Sequence, residues 1–304
     1  MARNLTVDGS GPRTQAERRA LGLVSVVAFV VMALAVPLPA AARAPEADTG
    51  SRVKHVWLDA EGQPLPFQGN AEIEEFLRSA QVVSREEIGV GINKMDKLLL
   101  EKDGVRAHAI FRVVDEVHER LRIGDRHHMR FKDSWAGECA AYAIAQLFGI
   151  DNVPPTVKRH LDSQQGSMQI WVEKTRDHTA KDFSPPSPMA WVKQTWGMFI
   201  FDNLIFNADR NTGNILAGEH YRLWLIDHTR AFQAKPELLS PEKVERLSRR
   251  AWARLLETSE EELADATREY LDPDQVGALK ERRKLLVEHI QARIDKAGEG
   301  AILF

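Results

Sequence analysis

The chain has 304 residues, 43% of them hydrophobic and 28% charged, with a formal net charge of −3. That is ordinary globular composition, long enough for one bilobal domain or two small ones. The charge balance gives no overall basic field for nucleic acid. A single cysteine, Cys139, excludes an internal disulfide framework and any multi-thiolate metal site.

In chain order, the first signal is residues 20–36, ALGLVSVVAFVVMALAV, which carry no charge. Arg13, Arg18 and Arg19 precede them, and the small-residue stretch PLPAAARAPEAD follows. Basic, apolar and small-residue regions in that order predict, over residues 1–44, a secretory signal cut after Ala42 or Ala44. The alternative is an uncleaved anchor, since about 17 apolar residues is the short end of a membrane span. The arginines ahead of the span put the remainder of the chain outside, and a membrane is expected to touch the protein through this segment only.

Residues 45–80 read as an N-terminal extension of mixed character, with GQPLPFQGN as a loop. From 81 to 115 the pattern turns to strands. Asp103-Gly104, between apolar runs at 97–100 and 107–114, predicts a β-hairpin with a primed turn. GDRHH at 124–128 reads as a basic, solvated loop. Residues 135–150 have helical spacing and end at Gly149. NVPPTVKRHLD and GSMQIWVEKT predict two further short strands, FSPPSP a linker, and 189–206 a helix. A second hairpin runs Asn214–Ala217 and Tyr221–Asp227 around Gly218-Glu219-His220. Beyond Ser240 the chain reads as helical, with Ser240-Pro241 as a helix start and capping boxes at Thr258/Glu261 and Asp272/Gln275. Strands followed by helices predict an α+β fold of two lobes: a strand-rich N-lobe with one helix over 81–175, and a mainly helical C-lobe over 176–304.

Three residues carry chemistry. Asp209 and Asn214 are five apart in FNADRNTGNIL, and Asp227 lies thirteen further on, at the end of the apolar run LWLIDH. Phosphoryl transfer needs a carboxylate to orient the attacking hydroxyl, oxygen ligands for a divalent metal, and donors for the phosphates. Asp209 suits the first role. Asn214 and Asp227 suit the second, because Mg²⁺ takes hard oxygen donors and few protein ligands. The hairpin brings both to one edge, facing the loop that holds Asp209. Asp, Asn and Gly in DRNTGN are also ordinary turn residues; the joint spacing is what favours a metal–phosphate site.

The spacing resembles the D-x-x-x-x-N loop and metal-binding Asp of protein kinases. ADRNTGNIL is similar to the GDRHxxNIL loop of phosphatidylinositol kinases. LIDHTRAF resembles the metal-binding segment of the secretory-pathway (Golgi) casein kinases and their bacterial relatives, with HipA-like kinases more distant. The likeness covers roughly residues 85–235 and implies an atypical, bilobal kinase-like fold. It further implies ATP and Mg²⁺ or Mn²⁺ as cofactors and an acceptor hydroxyl on a protein, sugar or lipid. By the same resemblance Gly89 and Gly91 would cover the phosphates, and Arg112 stands where the third strand normally carries a lysine. Lys97 on the preceding strand is the substitute cation, Glu138 would pair with the cation, and Trp171 lies in the segment joining the lobes. The missing lysine leaves a nucleotide-binding pseudokinase or interaction scaffold as the alternative. A metal-dependent phosphohydrolase or nucleotidyltransferase using the same Asp and Asn is a further one. His108 and His127-His128 lack metal-ligand periodicity, and Cys139, in an apolar helical stretch, reads as core.

Overall fold

The computed structural model describes residues 55–88, 95–123 and 126–304. Gly89, Gly91, Asp125 and the N-terminal segment expected to direct export lie outside the described residues. Among the described residues no helix is long and apolar enough to cross a membrane.

An antiparallel sheet runs in the order β1-β2-β3-β7-β6, from β1 (Gln81–Ile88), β2 (Met95–Lys102), β3 (Val105–Arg112), β6 (Thr156–Leu161) and β7 (Gln164–Ile170). The Asp103-Gly104 turn has φ of 53° and 78° at its two residues. Glycine accepts that conformation freely and Asp at small cost, so this dipeptide joins β2 to β3 in register. Helix α1 (Asn70–Ser79) covers the sheet with Ile73, Phe76 and Leu77, spaced for one helical face, packed among Leu98, Leu100, Ala107, Met168 and Ile170. Each of those three side chains contributes about 1.5–3 kcal/mol by burial. The stretch read as an extension thus supplies one wall of this core.

Between β3 and the next helix stands a separate ribbon of β4 (Asp115–Ile123) and β5 (Arg126–Ser134). Part of GDRHH is therefore strand and not loop: Arg126, His127 and His128 open β5, with His127 exposed. The ribbon is anchored at its base, where Phe131, Asp133 and Ser134 are buried.

Helix α2 (Trp135–Phe148) is capped by the Ser134 hydroxyl, which accepts from the Ala136 N–H, and stops at Gly149 in the left-handed region (φ 65°). It is buried on nearly every side, and Ala140, Ala141, Tyr142, Ile144, Ala145 and Phe148 join the helical core. That core is completed by α3 (Pro188–Ile205), the short strands β8 (Ile215–Ala217) and β9 (Leu223–Leu225), and the C-terminal helices α4 (Arg249–Glu257), α5 (Glu260–Thr267), α6 (Pro273–Ala297) and α7 (Glu299–Ile302).

Two expected helix starts move. Ser240-Pro241 opens only a three-residue 3-10 turn without a side-chain cap, and helix α4 begins at Arg249. The capping box expected at Thr258/Glu261 sits one residue later. Ser259 and Glu262 bond reciprocally, while Thr258 closes α4. The Asp272/Gln275 box forms as expected.

Candidate active site

Helix α3 ends at Phe206, whose left-handed backbone (φ 52°) turns the chain back along the helix end. The returning loop is fixed by Arg210, a residue the motif reading passed over. Its Nε donates to both oxygens of the buried Asp202 carboxylate at 3.3 and 3.0 Å, and its Nη2 donates to one of them at 3.0 Å. Nη1 donates to the carbonyls of Asn214 at 2.7 Å and Ile226 at 2.9 Å. Nη2 also lies 3.0 Å from Nε2 of the buried His228. One guanidinium thus ties α3, the loop and the segment after β9 together, and its charge is matched by a carboxylate.

That scaffold brings the three expected residues together. The Asn214 side-chain amide donates to the Asp209 carbonyl at 2.8 Å, and the Ile226 N–H donates to the Asn214 carbonyl at 3.3 Å. The strand pairing Ile215↔Leu225 carries Asn214 and Asp227 to the same end of the ribbon. The strands are shorter than expected: Asn214 closes a 3-10 turn just before β8, and Asp227 lies beyond β9 in the left-handed region, at φ 59°. Such a conformation is uncommon outside glycine, although Asp tolerates it best with Asn. The Asp227 carboxylate accepts from the Thr229 hydroxyl at 3.3 Å.

Asp209 forms an ion pair with Arg230. Arg230 Nη1 donates to its Oδ2 at 2.9 Å, and Arg230 Nε donates to Asp133 Oδ2 at 2.7 Å. Burial works against the Arg230 charge, but the hydrogen bond and charge of Asp133, and then Asp209, hold its pKa above the ordinary arginine value.

The cation side is assembled differently. Arg112, at the end of β3, faces Glu138 on α2 across 3.5 Å, both side chains buried. Arg112 Nη1 and Glu138 Oε1 have no hydrogen-bond partner. The other Glu138 oxygen lies 3.3 Å from His228 Nδ1. Burial would raise the Glu138 carboxyl, yet the Arg112 charge and the His228 hydrogen bond outweigh it and bring it down to about 2. Glu138 therefore pairs with Arg112. Lys97 instead stacks over the Trp171 ring, 4.5 Å from its centroid, beside the segment that leaves β7 for α3. Trp171 is held there by its N–H to the His108 carbonyl at 3.0 Å. Helix α2 approaches the segment after β9 closely, because a Cβ on Gly137 would sit 2.5 Å from the His228 carbonyl oxygen. Cys139 is buried in α2, and burial pushes its thiol up, away from nucleophilic use.

A divalent cation fits these donors. With its NH₂ committed to the Asp209 carbonyl, Asn214 has its oxygen left to offer. Burial, followed by the charges of Glu138 and Asp209, raises the Asp227 carboxyl despite the nearby Arg112, so negative charge there is under-compensated. Among the described residues no group of three His, Cys, Asp or Glu forms a cage. One amide and one carboxylate suit an ion such as Mg²⁺, which keeps water and phosphate ligands.

No family model matches the sequence, and no curated protein matches it. Solved structures do match in fold. The structure of Fam20 from hydra with sugar aligns over 78% of this chain and 93% of its own, at 14% identity and a TM-score of 0.59. The Golgi casein kinase with Mn/ADP bound aligns over 77% of this chain and 78% of its own, at 14% identity and a TM-score of 0.56. A second structure of the Golgi casein kinase gives 15% identity and a TM-score of 0.58 over 78% of this chain and 79% of its own. At such identities the likeness is one of architecture. The chain has the bilobal, mixed α and β arrangement of an atypical kinase-like fold.

Proposed function

We propose that the protein is a metal- and ATP-dependent phosphotransferase acting on a hydroxyl-bearing acceptor. The observation that carries this reading is the convergence of Asp209, Asn214 and Asp227 on a scaffold locked by Arg210. The Golgi casein kinase, a structural neighbour, has Mn/ADP bound, which supports nucleotide and metal here. Asp209 orients the acceptor hydroxyl and takes its proton as the oxygen bonds to the γ-phosphorus. The bond from that phosphorus to the β–γ bridging oxygen breaks, and ADP leaves with the electron pair. Asn214 and Asp227 would hold the Mg²⁺ or Mn²⁺, which when bound supplies charge neutralisation on the phosphates. Arg112, paired with Glu138 and close enough to act on Asp227, supplies a further cation. Residues 1–44 would export this activity or tether it to a membrane.

Purified protein with γ-labelled ATP and Mn²⁺ or Mg²⁺, offered protein, sugar and lipid acceptors, tests the reading. Asp209→Asn is expected to lose turnover by about 10²–10⁴-fold, the range for a positioned general base, and Asp227→Asn to lose metal-dependent turnover. Equal ATP consumption by wild type and both variants would defeat it. Mass spectrometry of the product separates an added phosphate from an added nucleotide, and release of phosphate without nucleotide marks a phosphohydrolase.

A second reading, a nucleotide-binding pseudokinase, is favoured by Arg112 in place of the strand lysine and by its unbonded approach to Glu138. A thermal shift with ATP and Mn²⁺ in the absence of any turnover supports it.

A further inference from the structure

Asp133 belongs to neither the motif nor the nucleotide side, yet it is 4% exposed at the base of the β4–β5 ribbon and takes a short bond from Arg230. Its position is fixed from both sides. The Gln233 side chain accepts from the Lys132 N–H at 2.9 Å and donates to the Lys132 carbonyl at 2.7 Å. One residue beyond Asp133, the Ser134 N–H donates to the Thr229 carbonyl at 2.8 Å. Strand β5 is thereby zipped to residues 229–233, the segment that follows Asp227. Arg230 is the residue in the middle of that zipper whose side chain leaves it, and it reaches Asp209 on the other loop. A guanidinium binds two carboxylates at fixed angles through its fork, which a lysine ammonium on a flexible stem does not reproduce.

We propose that Arg230 is a positioning residue for the Asp209 carboxylate, with Asp133 as its fixed anchor. The proposal rests on the reading of Asp209 as the group that orients the acceptor hydroxyl. Arg230 holds Oδ2 at 2.9 Å and Asn211 Nδ2 donates more weakly to Oδ1 at 3.3 Å, so the charged tether on the Asp209 side chain comes from the segment that also presents Asp227. The base and the metal-binding carboxylate are thus aligned by one rigid frame. Reacting groups misplaced by about 1 Å lose on the order of 10²-fold in rate, and that is the loss expected when the tether goes.

The test compares Arg230→Met, Arg230→Lys, Asp133→Asn and the Arg230→Met/Asp133→Asn double variant in full-length protein. Expected are a kcat lower by about 10²-fold in Arg230→Met with the KM for ATP little changed, partial recovery in Arg230→Lys, and a double variant no slower than Arg230→Met alone. A raised KM at unchanged kcat would show Arg230 gripping nucleotide and overturn the proposal. Multiplying effects in the double variant would make Asp133 an independent contributor and overturn the anchor. Crystal structures of Arg230→Met and Asp133→Asn give a readout that needs no turnover. Asp209 is expected to leave its wild-type rotamer in the first and to broaden in the second; an unmoved carboxylate in both refutes positioning. If wild type transfers no phosphate to any acceptor, the phosphotransferase reading fails, while the crystallographic result still decides whether Arg230 holds Asp209.

Discussion

Around Asp202 the Arg210 guanidinium meets a carboxylate, two backbone carbonyls and an imidazole, all within 3.3 Å, whereas Arg112 approaches Glu138 only to 3.5 Å and leaves an unbonded atom on each side. Both clusters are buried, and they share His228 as a link. Burying an unmade hydrogen bond costs about 1–3 kcal/mol, so the second arrangement is tolerated at a cost that the first avoids. The contrast fits a division of labour. The groups that fix the loop carrying Asp209 and Asn214 are saturated, and the pair proposed to face the nucleotide keeps donor capacity in hand.

Replacing Arg210 gives the largest expected effect on the fold. Arg210→Met leaves Asp202 buried without its cation and is expected to cost about 3–5 kcal/mol, read as a lower midpoint in urea denaturation. A loss below about 1 kcal/mol would erase the contrast. Gly137→Ala comes next. The new methyl meets the His228 carbonyl at 2.5 Å, so helix α2 or the segment after β9 must shift, at about 1–3 kcal/mol. Turnover should fall with stability in this variant, because the displaced carbonyl is next to Asp227.

Arg112→Lys sharpens the other side. Since the native pair makes no hydrogen bond, the expected stability change is below about 1 kcal/mol, with the effect appearing in the KM for ATP. A large fall in melting temperature without a KM change would mean the pair serves the fold alone. Ser259→Ala is the smallest and the control. It removes one side of an exposed capping box that shares no hydrogen bond with either cluster, costs about 1 kcal/mol, and is expected to leave kinetic constants as they were.

What the sequence disclosed follows from which forces are local. The Asp103-Gly104 hairpin, helix α2 with its glycine stop and the Asn214/Asp227 ribbon were legible because turn chemistry and apolar spacing act over a few residues. Helix α1 had a readable face in Ile73, Phe76 and Leu77, but no side-chain cap marks its start at Gly69. The β4–β5 ribbon lacks an apolar period because much of it is wet on both faces, so alternation gave no signal. Arg210, His228 and Arg230 each adjoin a motif residue or lie a few positions from it. Their partners, Asp202, Glu138 and Asp133, are set by tertiary contact, which spacing does not encode. The same holds for the cation facing Glu138: strand position matched Arg112 with Lys97 as a substitute, and the tertiary contacts, Arg112 3.5 Å from Glu138 and Lys97 over the Trp171 ring, separate them.

The missing side chain at Gly137 has a mechanical corollary. Helix α2 lies flush on the backbone after β9, and the neighbouring Ser134–Thr229 bond rivets its first turn to that backbone. None of the buried residues of α2 belongs to the apolar cluster under the sheet. Across its sheet side α2 carries two polar handles, Glu138, which Arg112 at the end of β3 approaches to 3.5 Å, and the Tyr142 hydroxyl, which donates to Glu74 of α1 at 2.8 Å, so any slip of α2 against the sheet half has to strain both.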